Sequence, residues 1–184
     1  MINERILDLG CGKNKHLGAI GVDMNPGVNP DIVFEFRDRR FLPFADNSFD
    51  KIYAMDFIEH VDDPQWLLSE IHRVGKPNAA VEIQYPHYSY RSAHSDLTHI
   101  HRGFGIRIFE HYDPSTKYGE KYQSYTQFGR NFPFHIESVT PKYCLGKSKI
   151  PLLLSKIVGA SAYEAFLCNM LPIVDVGAKL RVIK

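Results

Sequence analysis

The 184-residue chain is long enough to bury a substantial core, and its length predicts a single domain over residues 1–184. Hydrophobic residues make up 44% and charged residues 23%, as is typical of a globular protein. The net charge of +1 argues against nucleic acid as the partner. Three scattered cysteines argue against a disulfide framework, and no signal-peptide pattern is visible, so we expect a cytoplasmic location.

The first predicted strand, 5–9, ends in a glycine-rich turn at Gly10 and Gly12, and the second, 19–23, ends in Asp23. In an α/β protein, this pattern places a flexible backbone and a carboxylate side by side at the carboxyl ends of adjacent strands, where such sheets bind ligands. Glycines allow a close approach to the backbone, and Asp23 can accept hydrogen bonds from two ribose hydroxyls. The pattern therefore predicts a ligand that contains a nucleoside.

The spacing between these elements favours one kind of nucleoside. Only residues 13–18 separate the turn from the second strand, which leaves room for about one or two helical turns. The acid follows Gly12 by 11 positions. Dinucleotide sites place the acid roughly 20 residues on and need a full helix that faces the pyrophosphate. A ligand without phosphates, such as S-adenosylmethionine, fits this shorter connection better.

Strand and helix patterns alternate in the next part of the chain. Further strands are predicted at 31–35, 50–55 and 79–85. Before the last of these, Asp63 and the proline that follows it predict the start of a helix over 64–74. This alternation predicts an α/β fold, a mostly parallel sheet with helices on both faces.

The second half of the chain begins with an unusual segment, 86–134. It is rich in Tyr, Phe, His and Gly and shows little helical periodicity, which predicts a loop-rich lid and acceptor pocket. Two later strands are predicted at 135–143 and 178–183, with a helix near 150–171 between them. Prolines and charged residues interrupt this apolar helix, so we interpret it as a core or dimer-interface helix and not as a membrane span.

Four ordered motifs cover roughly residues 5 to 90, namely DLGCG (8–12), LPFADNSFD (42–50), EHV (59–61) and EIHRVGKPN (70–78). Together they resemble the class I S-adenosylmethionine-dependent methyltransferases, in particular the small-molecule branch that includes the quinone-biosynthesis C-methyltransferases. The resemblance implies a Rossmann-like fold of seven strands with the last one antiparallel. It also implies methyl transfer from S-adenosylmethionine to a small-molecule acceptor by in-line displacement, with S-adenosylhomocysteine as the product.

The chain is expected to be a minimal version of this fold, with a shortened first helix and without the family's helices before the first strand. We divide it into a cofactor-binding half (1–85), a lid and acceptor insertion (86–134) and C-terminal strands and helix (135–184). The cofactor pocket must then be covered by the lid or by another subunit, which leaves a homodimer open.

The resemblance assigns the turn to the methionine part of the cofactor. It implies that Asp8, Gly10, Cys11 and Gly12 surround this part. Alternatively, Asp8 only orients backbone amides of the turn, and the glycines only form a tight connection between two elements.

Residues beyond the turn are assigned to the nucleoside and to the reacting centre. Asp23 is predicted to bind the ribose hydroxyls, with Met24 on the adenine face and Asp38 near the adenine amino group. Asp56 and Phe57 are predicted to line the methyl-transfer centre. The alternatives are a loop cap for Asp23, an ion pair for Asp38 among neighbouring arginines, and core packing for Phe57.

A histidine cluster inside the lid segment is the sharpest feature that the family pattern does not explain. It comprises His94, Asp96, His99 and His101, and His87 just after the fifth strand is a further candidate. Three interpretations compete: acceptor binding or general base catalysis, a divalent metal site, and hydrogen bonds that fix the lid. We adopt the first, with Asp96 and His99 as the catalytic residues, and assign no metal ligand.

Two other functions remain as alternatives. An RNA or tRNA methyltransferase would use a basic and aromatic stacking surface. Its residues would be Lys117, Tyr118, Lys121, Tyr122, Tyr125, Phe128 and Arg130. A non-enzymatic module that binds S-adenosylmethionine would explain the stunted first helix.

Overall fold

The computed structural model describes residues 4–122, 132–144 and 150–184, and its centre is a single sheet of seven strands. The strand order across the sheet is β3-β2-β1-β4-β5-β7-β6. The strands are β1 (Ile6–Leu9), β2 (Ala19–Asp23), β3 (Ile32–Val33), β4 (Phe49–Met55), β5 (Gly75–Pro86), β6 (Phe134–Tyr143) and β7 (Ile173–Val182).

The sheet is mostly parallel, as predicted. The first five strands, β1 to β5, run parallel to one another, and β7 pairs antiparallel with both β5 and β6. The prediction of seven strands with an antiparallel last strand is therefore confirmed.

The helices are α1 (Pro64–Val74), α2 (Ser92–Ser95), α3 (Lys117–Tyr122), α4 (Ile150–Val158) and α5 (Ala160–Phe166). Helix α1 begins as predicted, because the Asp63 carboxylate accepts hydrogen bonds from the backbone N–H groups of Gln65 and Trp66, both at 3.0 Å. One face of α1 is buried, including Leu67 and Ile71, and this burial fixes the helix beside the sheet.

Three sequence predictions differ from the structure. Residues 10–18 form turns and contain no helix, although one or two helical turns were predicted. The third strand is only Ile32–Val33, because a short 3-10 helix follows at Phe36–Asp38. The predicted helix 150–171 is interrupted at Gly159, whose φ of +84° is a left-handed conformation that a continuous helix does not allow.

The core lies on the central strands. Leu7 and Leu9 of β1, Ile52 of β4 and Val81 of β5 are fully buried. Because β1, β4 and β5 are parallel neighbours, their carboxyl ends meet at one edge of the sheet, where the loops that follow build the site. Among the described residues, no helix is both long and apolar enough to cross a membrane.

Candidate functional site

The turn after β1 is held by backbone hydrogen bonds. The N–H of Gly10 donates to the carbonyl of Val22 at 2.8 Å, and Gly10 and Gly12 have φ angles of +64° and +52°. A Cβ atom at Gly10 would lie 2.2 Å from Cδ2 of Phe57, whereas a Cβ atom at Gly12 would meet open space. Glycine is therefore required at residue 10 by packing as well as by backbone conformation, and at residue 12 by conformation alone.

Asp23, at the end of β2, connects this turn to the next loop. Its Oδ2 accepts a hydrogen bond from the N–H of Gly12 at 2.9 Å, and its Oδ1 accepts one from Asn25 at 2.8 Å. The hydrogen bond from Asn25 caps the loop after β2, which is the alternative interpretation of Asp23. Each carboxylate oxygen of Asp23 can accept a second hydrogen bond, and the side chain is half-buried. A contact with ribose hydroxyls is therefore compatible with the hydrogen bonds from Gly12 and Asn25. Met24 beside it is 42% exposed.

Asp8 is buried and holds the far end of the turn. Its Oδ2 accepts hydrogen bonds from the backbone N–H and from the Nδ1 of His16, both at 2.8 Å. The His16 ring in turn stacks on Tyr53, with ring centroids 3.7 Å apart. Asp8 thus orients a backbone amide of the turn, as its alternative interpretation predicted, while its contact with a cofactor stays a prediction.

Cys11 is buried between the two acids of the turn. Burial raises the pKa of its thiol, and the negative charges of Asp23 and Asp8 raise it further. Cys11 is therefore held as a neutral thiol, which is a poor nucleophile and suits a purely structural place in the turn.

Asp38 lies at the surface, in the 3-10 helix after β3. Its carboxylate pairs with Arg40 at 2.9 Å, which is the ion pair of the alternative interpretation. Its helix nevertheless approaches the turn, because the ring of Phe36 packs 4.7 Å from that of Phe57, the side chain that covers Gly10.

Asp56 and Phe57 connect the glycine turn to a large cavity. Asp56 has a φ of +49°, and its backbone N–H donates to the carbonyl of Gln84 at 2.9 Å. Its exposed carboxylate also accepts a hydrogen bond from the Gln84 amide at 2.9 Å. Phe57 is buried against Gly10, as the core-packing interpretation predicted. The backbone at Asp56 therefore directs two successive side chains to two different parts of the site.

A cavity of about 710 Å³ opens beside Asp56. It is lined by Asp56, Glu59, His60, Pro86, Ser92, Ser95, Asp96, Leu97, His99 and Asp175. Four of these residues are carboxylates and two are imidazoles, and no Lys or Arg is among the described residues that line it. The cavity is thus suited to a neutral or cationic ligand and is unfavourable for an anionic one.

Two segments distant in sequence form one wall of this cavity. The carbonyl of Glu59 accepts hydrogen bonds from the N–H groups of Ile100 and the residue after it, both at 3.0 Å. The Nδ1–H of His60 donates to the carbonyl of Thr98 at 3.0 Å. These bonds join the 3-10 helix Ile58–His60 to the histidine-rich segment of the lid.

The predicted histidine cluster is divided by the fold. Asp96 and His99 line the cavity, with 3.7 Å between Oδ2 and Nε2. His94 and His101 instead donate from their rings to backbone carbonyls, at 2.8 and 3.1 Å. The structure therefore brings together the two residues chosen as catalytic and gives the other two a structural place.

Glu59 is a site residue that sequence reasoning treated only as part of a motif. It is 1% exposed, and its Oε2 has no hydrogen-bond partner among the described residues. Burial raises its pKa to about 8, and the charges of Asp56, Asp175 and Asp96 contribute. A glutamate between the apolar residues Ile58 and Val61 was the available sequence signal. Asp175, which lies on β7, had no such signal.

His87 does not line the cavity. It is fully buried, its Nε2–H donates to Glu164 at 2.9 Å, and its Nδ1 lies 2.8 Å from the hydroxyl of Ser89. Burial lowers its pKa, so the ring is neutral. The same oxygen of Glu164 accepts a hydrogen bond from the N–H of Ile106 at 2.8 Å. His87 and Glu164 therefore attach the lid to α5.

The basic and aromatic series of the RNA alternative is only partly described. Lys117, Tyr118 and Lys121 lie on α3, where the guanidinium of Arg107 lies 4.4 Å from the ring centroid of Tyr118. The other predicted contacts Tyr125, Phe128 and Arg130, and the side chain of Tyr122, lie outside the described residues.

Curated proteins similar to this chain include several methyltransferases. It is 32% identical over 103 residues to the O-methyltransferase rstn1 of Aspergillus nomiae, covering 44% of this chain and 45% of that protein. It is 30% identical over 95 residues to the demethylmenaquinone methyltransferase of Renibacterium salmoninarum, covering 44% and 40%. The aligned region thus spans less than half the length of these relatives.

The fold is likewise shared with a solved methyltransferase structure. A SAM-dependent methyltransferase from Archaeoglobus fulgidus superimposes with a TM-score of 0.56 at 17% identity, over 97% of this chain and 86% of that one. At this identity the likeness concerns the fold.

A family model described as "Methyltransferase domain" matches residues 3–125, which is more than half of the chain. This match includes the glycine turn, Asp23, the Asp56–Phe57 connection and the cavity wall at residues 59–60. The chain therefore belongs to this methyltransferase domain family.

Proposed function

We propose that this protein transfers a methyl group from S-adenosylmethionine to a small-molecule acceptor. The observation that carries the proposal is the junction at Asp56 and Phe57. Phe57 packs on the glycine turn that leads to Asp23, and Asp56 lines the neighbouring cavity. A cofactor on the turn and an acceptor in the cavity would therefore lie next to each other.

The residues of the turn fit the cofactor. Gly12 borders open space, and the half-buried Asp23 keeps the capacity to accept two ribose hydroxyls. The proposed contacts are those of the sequence prediction: Asp8, Gly10, Cys11, Gly12, Asp23, Met24, Asp38, Asp56 and Phe57. S-adenosylmethionine supplies a methyl group on a positively charged sulfur, which needs no protein nucleophile to leave.

The protein's own contribution is positioning, exclusion of water and proton removal. The cavity holds the acceptor beside Asp56, and the lid segment covers it. We propose His99, whose Nε2 lies 3.7 Å from Oδ2 of Asp96, as the group that accepts a proton from an acceptor hydroxyl.

The first experiment is calorimetric titration with S-adenosylmethionine and S-adenosylhomocysteine, with NAD as the control ligand. We expect micromolar binding of the first two and none of NAD. Binding of NAD, or of none of the three, would contradict the proposal. Binding of S-adenosylmethionine without turnover on any acceptor would favour the non-enzymatic alternative.

The Asp23→Ala variant tests the cofactor site. We expect it to weaken S-adenosylmethionine binding by about 1–3 kcal/mol, because ribose hydroxyls lose a charged acceptor. Asp62→Ala is the matched control, since Asp62 is an exposed carboxylate outside the site. Equal affinities of the two variants would remove Asp23 from the cofactor site.

The His99→Ala variant tests the acceptor side. We expect a loss of methyl transfer of at least about 100-fold, the low end for a general base, with little change in cofactor affinity. His94→Ala is the control, because His94 is in the same segment but outside the cavity. Equal loss of rate and of cofactor affinity, with reduced stability, would favour a purely structural role for His99.

A small neutral acceptor is favoured over RNA by the three aspartates that line the cavity, since their negative charges repel phosphates. An RNA acceptor would show tight binding that is lost steeply with added salt.

We also propose a homodimer, supported by exposed apolar side chains on α4 such as Leu153 and Ile157, with light scattering as the test. A cytoplasmic location is supported by the free thiols of Cys11, Cys144 and Cys168.

A further inference from the structure

Three side chains of the cavity wall converge in a way that methyl transfer alone does not require. Glu59, His60 and His99 each offer a ligand atom, and these atoms all lie within 4.8 Å of one another. The rings of His60 and His99 pack edge to face, with centroids 4.8 Å apart. Two imidazoles and one carboxylate are a donor set that divalent transition metals favour.

Two atoms of this trio are buried without a hydrogen-bond partner among the described residues, namely Oε2 of Glu59 and Nδ1 of His99. Burial of an unpaired polar atom costs about 1–3 kcal/mol, so folded proteins rarely keep two side by side. One cation between them would satisfy both. Glu59 is 1% exposed, and this makes its free oxygen an internal ligand atom rather than a solvated surface group.

Hydrogen-bonding groups behind His60 and His99 orient the two rings, as such groups do for histidines that bind a metal. The Nδ1–H of His60 donates to the carbonyl of Thr98, which leaves Nε2 as the ligand atom. The Nε2 of His99 faces Asp96 at 3.7 Å. Asp96 is itself held by the backbone N–H and the hydroxyl of Thr98, at 2.8 and 2.7 Å. A backbone carbonyl and a carboxylate are the usual partners behind ligating histidines.

The charge around the trio also favours a cation. Besides Glu59, the carboxylates of Asp56, Asp96 and Asp175 line the same cavity, and no Lys or Arg lines it among the described residues. The ammonium of Lys142 donates a hydrogen bond to the side-chain oxygen of Gln84, and its charge offsets part of the rise that burial causes in the pKa of Asp175. A divalent ion would therefore enter a site of negative potential.

We infer that Glu59, His60 and His99 bind a divalent transition-metal cation such as Zn²⁺ in the cavity. Three protein ligands leave the open coordination position that catalytic sites keep, and a hydroxyl oxygen of the acceptor is the group to occupy it. This inference rests on the proposed function, because there the cavity is the acceptor site. His99 would then act on the acceptor through the ion and not as a free base.

The test uses the full chain after treatment with a chelator and removal of the chelator. Zn²⁺ is titrated by calorimetry, and Co²⁺ is titrated by visible absorption, which reports coordination directly. We expect one ion per chain for each metal and displacement of Co²⁺ by Zn²⁺. Failure of the folded chain to bind either ion would overturn the inference.

Substitutions then locate the ion. Glu59→Gln, His60→Ala and His99→Ala are each expected to weaken Zn²⁺ binding by at least about 10-fold, a loss typical even of residues one step removed from a metal. His94→Ala, the matched control, is expected to change it less than twofold. Circular dichroism establishes that each variant is folded, and His60→Ala, the least buried position, serves if Glu59→Gln does not fold. Unchanged Zn²⁺ affinity in folded His60→Ala and His99→Ala would overturn the inference.

Parallel titration with S-adenosylmethionine separates the two proposals. Cofactor binding without metal binding would contradict the metal site alone. Metal binding that depends on Glu59, His60 and His99 in a protein that binds no cofactor would contradict the proposed function and leave the metal site standing.

Discussion

The proposed cofactor side of the site, which is the glycine turn with Asp23, and its proposed acceptor side, which is the cavity beside Asp56, are built by different means. On the cofactor side, the contacts are short-range and mostly involve backbone atoms, as in the hydrogen bond from Gly12 to Asp23. On the acceptor side, side chains from segments far apart in sequence meet, as in the hydrogen bond from His60 to Thr98. The cofactor side therefore depends on backbone conformation, whereas the acceptor side depends on how buried polar groups are paired.

The largest effect is expected on the cofactor side, from Gly10→Ala. The new Cβ atom would lie 2.2 Å from Phe57, and alanine is strained at a φ of +64°. Overpacking and left-handed strain together predict a loss of about 3–5 kcal/mol in the free energy of unfolding, together with loss of cofactor binding. Denaturant unfolding and calorimetry measure the two losses.

Gly12→Ala is the matched control for this change. Its φ of +52° is equally left-handed, but its Cβ atom would meet open space. Only the backbone term remains, so we expect a loss of about 1–2 kcal/mol. Similar losses in the two variants would show that contact with Phe57 does not make Gly10 necessary.

Outside the cavity, in the contact between residue 87 and α5, the largest effect on stability is expected from Glu164→Ala. This change removes the acceptor for the buried Nε2–H of His87 and for the N–H of Ile106, at 2.9 and 2.8 Å. Two unpaired donors predict a loss of about 2–4 kcal/mol in the free energy of unfolding, with cofactor affinity retained because the glycine turn is not touched.

Glu164→Gln is the control, since its amide oxygen can still accept a hydrogen bond and should recover most of the loss. The two sides of the site would not be independent if Glu164→Ala, in protein that is still folded, weakened cofactor binding as much as stability.

The smallest effect is a pH dependence that comes from Asp113. Burial acts to raise the pKa of Asp113, but hydrogen bonds from Ser115 and from the N–H of Ile136 outweigh it and lower the pKa below its usual range. The carboxylate therefore stabilises the fold above the unfolded pKa of about 3.9, and this contribution is lost as the pH falls through the folded pKa.

We expect Asp113→Asn to lose less stability than the parent protein on acidification from pH 7 to a pH below the folded pKa of Asp113, which itself lies below the unfolded value of about 3.9. Urea unfolding at several pH values measures this difference. Parallel stability curves for the two proteins would contradict a role for the charge of Asp113.

The conformation of the glycine turn could be predicted from the sequence because its signals are local, while the contact of this turn with a cofactor stays a prediction. The glycines, Asp23 and the cap at Asp63 each depend on neighbours within a few residues or on one adjacent strand. Local patterns also predict strands at seven places, and the family resemblance implies that the last one is antiparallel. They overestimate regular helix at residues 10–18 and at Gly159, since the tight turn and the left-handed glycine override helix propensity there.

The acceptor side could be predicted only in part, because its members meet through the tertiary fold. The sequence predicts one cluster in the histidine-rich segment. Only Asp96 and His99 line the cavity, while His94 and His101 donate to backbone carbonyls. Burial of Glu59 and the approach of Asp175 from β7 follow from long-range packing, which no spacing in the sequence reports.

The position of β7 between β5 and β6 has a consequence for the order in which the chain folds. Within the described sheet, β6 pairs with β7 alone, so it can join only together with or after that strand. The other five strands, β1 to β5, pair with one another without β6 or β7. They already include Asp23 and flank the glycine turn. Because contacts between distant residues form slowly, we expect the sheet of β1 to β5 to assemble before β6 and β7 join it during refolding. Pulsed hydrogen exchange would then show protected amides in β1 and β4 before any in β6, and the reverse order would exclude this route.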